Sequence, residues 1–220
     1  MVALIISVAS VQAQKSQVIA HRGYWKTAGS AQNSITSLQK ADSIHCYGSE
    51  FDVWLAKDNK LVVNHDPVYK MKYMEYSKGD ALTGLKLSNG ENLPSLQKYL
   101  EAGKKCNTKL ILELKAHNSK KRETKAVQEI LAMVKKMGLE DRMEYITFSL
   151  HAMKEFIRLA PAGTPVFYLN GELSPKELKD LGAAGLDYHM GVIKKHPEWI
   201  KEAHDLGLKV NVWTVDKASG

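Results

Sequence analysis

At 220 residues, 44% hydrophobic and 25% charged, the chain is long enough for one domain with a sizeable core, and its balance excludes a disordered or fibrous protein. Lys and Arg total 31 against 24 Asp and Glu, a net charge of +7 that favours an anionic partner: a phosphate ester, a membrane surface or a nucleic acid. The lysines are scattered and no basic stretch is interleaved with aromatics, which argues against nucleic acid. Two cysteines, Cys46 and Cys106, cannot build a disulfide framework and read as buried thiols.

Residues 2–11 (VALIISVASV) are almost wholly apolar, and Val11-Gln12-Ala13 ends on a small residue. This is the pattern of a secretory leader cleaved after Ala13, so the mature protein is expected in the periplasm or outside the cell. The run is too short to span a bilayer.

From residue 14 onward, one domain is expected. Short apolar runs rich in β-branched and aromatic residues fall at 18–21, 50–55, 61–64, 110–114, 145–148, 166–169, 186–190 and 210–215. Between most of them lie amphipathic stretches. Residues 33–45 place Ile35, Leu38, Ala41 and Ile44 at helical spacing, and 122–137 place Val127, Ile130, Leu131 and Val134 on one face. Residues 151–160, 174–184 and 196–206 read the same way, with Ser174-Pro175 and His196-Pro197 as helix starts. Such alternation predicts parallel strands joined by crossover helices, in an open sheet or a closed barrel. Residues 68–108 break the rhythm and read as an insertion after the third strand.

Side chains alternate along a strand, so Glu50 and Asp52 share one face, as do Glu113 and Lys115. Neighbouring carboxylates repel unless a proton or a cation lies between them. Three of them on adjacent strands suit a hard divalent ion, Mg²⁺ or Ca²⁺. The simpler arrangement is a Glu113–Lys115 pair alone. His21 and His65 each end a strand and are each followed by loop residues. Imidazole titrates near neutrality, so one can accept a proton while the other gives one. Arg22 has the planar fork that grips phosphate oxygens.

These residues resemble the glycerophosphodiester phosphodiesterase family. The family's His-Arg-Gly is His21-Arg22-Gly23, and its Pro-Glu-Asn-Thr is Ala31-Gln32-Asn33-Ser34, with Gln32 replacing the Glu. Its Glu-x-Asp-Val is Glu50-Phe51-Asp52-Val53, its His-Asp is His65-Asp66, and its Pro-Thr-Leu is Pro94-Ser95-Leu96. Glu-Leu-Lys is Glu113-Leu114-Lys115, Ser-Phe is Thr147-Phe148, and Trp-Thr-Val is Trp213-Thr214-Val215. The resemblance implies a TIM (β/α)8 barrel with its site at the strand carboxyl ends. It implies Glu50, Asp52 and Glu113 as metal ligands, His21 and His65 as acid and base, Arg22 and Lys115 on the phosphate, and Trp213 lining the pocket. The implied reaction is metal-dependent hydrolysis of a glycerophosphodiester to an alcohol and glycerol 3-phosphate. Alternatives are a related enzyme acting on phospholipid or glycerophosphoinositol, and a non-catalytic sugar-phosphate-binding barrel. The family continues past Trp-Thr-Val with a helix and a barrel-closing strand, so that strand is expected to be missing here.

Overall fold

In a computed structural model, residues 16–213 are described. The expected leader at 1–13, Thr214-Val215 and any strand after them lie outside the described residues. The elements run β1 (Ile19–Ala20), α1 (Ile35–Ser43), β2 (Gly48–Leu55), β3 (Leu61–Val63), β4 (Val68–Tyr69), β5 (Lys72–Tyr73), α2 (Gly79–Thr83), α3 (Leu96–Gly103), β6 (Lys109–Leu114) and α4 (Lys120–Met137). They continue through β7 (Met143–Thr147), α5 (Leu150–Leu159), β8 (Val166–Tyr168), α6 (Pro175–Leu181), β9 (Gly185–His189), α7 (Met190–Lys195), α8 (Glu198–Asp205) and β10 (Lys209–Trp213).

The main sheet follows the order β1-β2-β6-β7-β8-β9-β10, every neighbouring pair parallel. It curls as the wall of a TIM barrel does, and β1 and β10 are its edges among the described residues. Alternation sorts its side chains. Phe51, Val53, Leu112 and Leu114 face the helices and join Leu38, Tyr99, Val127, Ile130 and Val134 in the large core. On the opposite face, Ile111, Ile146, Phe167 and Leu169 form a separate interior cluster with Trp213 against it.

The helices start and stop where side chains satisfy their orphan backbone groups. Ser34, Ser119 and Ser149 cap α1, α4 and α5, Ser174 and Glu177 form a reciprocal box on α6, and Gly138 ends α4 with φ 64°. The expected apolar face of α1 holds at Leu38 and Ala41, but Ile44 falls past the helix end and is 53% exposed.

Two expectations change. The third strand is not parallel: β3 folds back antiparallel on β2, with Val63 opposite Val53 and Leu61 opposite Leu55. Asp58 and Asn59, the latter at φ 65°, form the tight reversal that leaves no room for a crossover helix. The stretch 68–108 also divides. Its first part, with the β4–β5 hairpin and α2, builds a small second core of Trp54, Val62, Met74, Leu82 and Leu93. Its last part, α3, buries Leu96, Tyr99 and Leu100 in the main core as the barrel helix before β6.

Candidate active site

The site starts at the turn after β1. Arg22 has φ 58° and Gly23 φ 74°, so the chain reverses sharply just past His21. A side chain at Gly23 would place its Cβ 2.4 Å from Ser37 Oγ and 2.7 Å from the Ser37 carbonyl carbon, so the turn packs directly on α1. The reversal lets the Arg22 N–H donate to Glu50 Oε2 at 2.7 Å, while the His21 ring lies 4.0 Å from the same oxygen. Burial, and then the Arg22 charge, pull the His21 pKa down to about 4.

Parallel pairing of β2 with β6 sets Asp52 directly opposite Glu113. Glu50 follows two residues earlier on the same face, and carboxylate oxygens of all three acids lie within 4.8 Å of one another. Each is nearly sealed from solvent. Asp52 is held on several sides. It accepts from Asn33 Nδ2 at 2.8 Å and from Lys115 Nζ at 3.3 Å, its own N–H donates to Asn33 Oδ1 at 3.1 Å, and Arg22 Nε stands 4.0 Å away. Lys115 Nζ also lies 2.7 Å from Glu113 Oε1, so the expected Glu113–Lys115 pair exists inside the larger cluster.

Lys115 and the more distant Arg22 do not balance three acids. Burial, reinforced by Asp52 and Glu113, pushes the Glu50 carboxyl well above the usual carboxylate range. Burial and Asp52 raise Glu113 to about 7, even with Lys115 beside it. Burial alone would lower Lys115, yet Asp52 and Glu113 outweigh it and raise its pKa. Glu50 Oε1 is buried with no hydrogen-bond partner among the described residues. An oxygen-only donor set with an orphaned carboxylate oxygen and excess negative charge fits a hard divalent cation.

The antiparallel return of β3 delivers the second histidine. Asn64 N–H donates to the Asp52 carbonyl at 3.0 Å, which ties the chain just before His65 to the backbone of the acid-bearing strand. His65 Nδ1 lies 2.8 Å from Asp66 Oδ1, and Trp54 Nε1 donates to the His65 carbonyl at 3.4 Å. Thus His21, Arg22, Glu50, Asp52, Glu113 and Lys115 converge, and His65 follows the residue whose backbone is tied to Asp52.

Trp213 stands apart, on the interior cluster. Its ring meets Phe148 edge-on at 5.7 Å and His189 at 4.9 Å, and its Nε1 donates to the Asp187 carbonyl at 3.0 Å. It forms an apolar wall of the barrel interior rather than part of the charged cluster.

Three further residues, not singled out by their sequence pattern, shape the site. Asn33 (φ 59°) orients Asp52 through two hydrogen bonds, Gln32 Oε1 accepts from Arg22 Nη1 at 2.6 Å, and His117 lies against the backbone of Lys115. The only sequence signal for the first two was their place in the turn after His-Arg-Gly.

Acids, basic side chains and histidines on a β/α barrel wall are the make-up expected of a phosphoric-ester hydrolase site. The model of the glycerophosphoryl diester phosphodiesterase family matches residues 21–219. The chain belongs to this family and is a phosphoric diester hydrolase. It is similar to a glycerophosphodiester phosphodiesterase of Parabacteroides distasonis at 54% identity and TM-score 0.90, covering 91% of this chain and 84% of that one. A glycerophosphodiester phosphodiesterase of Caldanaerobacter subterraneus is 26% identical over 92% of this chain and 87% of its own length. A phosphodiesterase of Oleispira antarctica, solved with the product sn-glycerol-3-phosphate, shares the fold at 23% identity and TM-score 0.77, covering 92% of this chain and 85% of that one.

Proposed function

We propose that the protein hydrolyses water-soluble glycerophosphodiesters to an alcohol and glycerol 3-phosphate, with a divalent ion held by Glu50, Asp52 and Glu113. The observation that carries this reading is the buried triad of carboxylates, short of positive charge, beside His21, Arg22 and Lys115. The product in the Oleispira antarctica structure supports the glycerol 3-phosphate half of the substrate.

The bound ion, Mg²⁺ or Ca²⁺, would supply Lewis acidity to the phosphoryl oxygens. The chain's own groups do the rest. Arg22, held by Gln32 and aligned by its backbone bond to Glu50, orients the phosphodiester. Lys115 offsets charge gathering on the phosphoryl oxygens as the ester bond breaks. One of His21 and His65 takes the proton of the attacking hydroxyl, and the other returns a proton to the leaving alcohol. Asp66 fixes the ring of His65 for that exchange. Phe148 and Trp213 offer an apolar wall for the glycerol or the leaving group.

Replacing His21 or His65 by Ala is expected to lower turnover of a glycerophosphodiester by roughly 10²- to 10⁴-fold. Near-normal turnover in either variant contradicts its assignment. We further propose export on the leader at 2–11. N-terminal sequencing of the secreted or periplasmic protein should begin at Gln14, and an intact Met1 on the mature protein contradicts this.

A further inference from the structure

His117 lies just past the end of β6, with both ring nitrogens committed. Nε2 accepts the Leu55 backbone N–H at 2.9 Å, so Nε2 carries no proton. Nδ1 must then hold the ring proton, and it donates to the Lys115 carbonyl at 2.7 Å. The ring packs against Trp54 with centroids 5.3 Å apart. Leu55 ends β2, the strand of Glu50 and Asp52, and Lys115 directly follows β6, the strand of Glu113. One imidazole therefore ties the ends of the two strands that bear the carboxylates, and it does so through the residue whose ammonium bridges two of them.

The surroundings hold the loop in the same place. Asn118 N–H donates to Glu75, and Asn118 Nδ2 donates to the Tyr76 hydroxyl. Arg122 Nη2 donates to the Leu55 and Ala56 carbonyls. The loop is pinned to the insertion on one side and to the end of β2 on the other.

We propose that His117, in its Nδ1–H form, is a positioning residue that sets where Lys115 Nζ stands between Asp52 and Glu113. The proposal rests on the hydrolytic reading above. It differs from a packing role because the two ring bonds do different work. The bond to the Lys115 carbonyl aims the lysine, and the bond from Leu55 only satisfies a strand end.

Side-chain replacement separates them. Asn at 117 can keep a donor near the Nδ1 position, and Gln can keep an acceptor near the Nε2 position. His117→Ala is expected to lower kcat by about 10- to 100-fold, the scale of a misplacement near 1 Å. His117→Asn should recover most of kcat, whereas His117→Gln should recover melting temperature but not kcat. Two NMR signatures are independent of turnover. The wild-type His117 ring should show a protonated Nδ1 and a bare Nε2, and the Lys115 ammonium resonance should move in His117→Ala and return in His117→Asn. A protonated Nε2, an unmoved Lys115 resonance, or equal kcat in His117→Ala and wild type overturns the proposal. If the wild type itself releases no glycerol 3-phosphate, the hydrolytic reading fails, and the two NMR signatures still decide the positioning role.

Discussion

Asp52 and Glu113 stand side by side across the β2–β6 pair, bridged by a single ammonium 3.3 Å from one and 2.7 Å from the other. Two buried carboxylates, with Glu50 close to both, share one lysine. The arrangement costs stability unless a further cation joins it, because burial disfavours the charged forms of Glu50 and Glu113.

That imbalance predicts opposite effects of one substitution. Glu50→Gln keeps an oxygen to accept the Arg22 N–H and removes the least compensated charge. In chelator, the variant should melt a few degrees above the wild type, on the scale of about 1 kcal/mol. Added Mg²⁺ or Ca²⁺ should raise the melting temperature of the wild type and leave the variant nearly unmoved. Thermal scans with and without the ion check both halves.

Asn33 is expected to act through Asp52. Asn33→Ala removes both hydrogen bonds to that residue and should cost about 1–3 kcal/mol, since a buried acceptor loses its partner. It should also weaken divalent-ion affinity by about 10- to 100-fold, the usual effect of losing a group that orients a ligand. Calorimetric titration with the ion measures the second effect, and urea unfolding the first.

The turn that carries Arg22 leaves no room for a side chain at Gly23. Gly23→Ala forces a positive φ on alanine and a clash with the Ser37 backbone, and should cost about 2 kcal/mol or more with loss of turnover. Gly29→Ala also has φ +72° but meets nothing within 4 Å, so it should cost about 1 kcal/mol and leave turnover intact. Denaturant unfolding of the pair separates strain from collision.

His117 gives the protein an acid sensitivity of known sign. Burial lowers its pKa from 6.5 to about 4, with its bond to Lys115 opposing and Arg122 adding to the fall. Between these values the unfolded chain takes up a proton that the folded chain refuses. This contribution is complete above pH 6.5 and is lost as the pH falls toward 4. Unfolding free energies measured from pH 7 to pH 4 should drop more steeply for the wild type than for His117→Asn. Equal slopes would contradict it.

Much of this was legible in the sequence because its signals were local. Period-2 alternation put Glu50 and Asp52 on one face, and Ser174-Pro175 marked the start of α6 correctly. Direction was not local. Nothing within residues 61–64 says whether the strand runs with or against β2, and only the short Asp58–Asn59 reversal excludes a crossover. His65 therefore follows an antiparallel strand rather than the parallel one expected. The helix α3 was hidden because a Gly/Asn-rich turn precedes it, so its apolar face read as part of the insertion. Asn33, Gln32 and His117 act through backbone groups and neighbouring side chains distant in the chain, and no spacing rule shows such partners.

The most direct test of the central claim is release of glycerol 3-phosphate from glycerophosphocholine by the purified protein, before chelation, after exhaustive chelation, and after return of Mg²⁺ or Ca²⁺. The account predicts release that stops on chelation and returns with the ion in the wild type, and that the ion does not restore in Glu113→Gln. Undiminished release from the fully chelated wild type, or from Glu113→Gln, would contradict it.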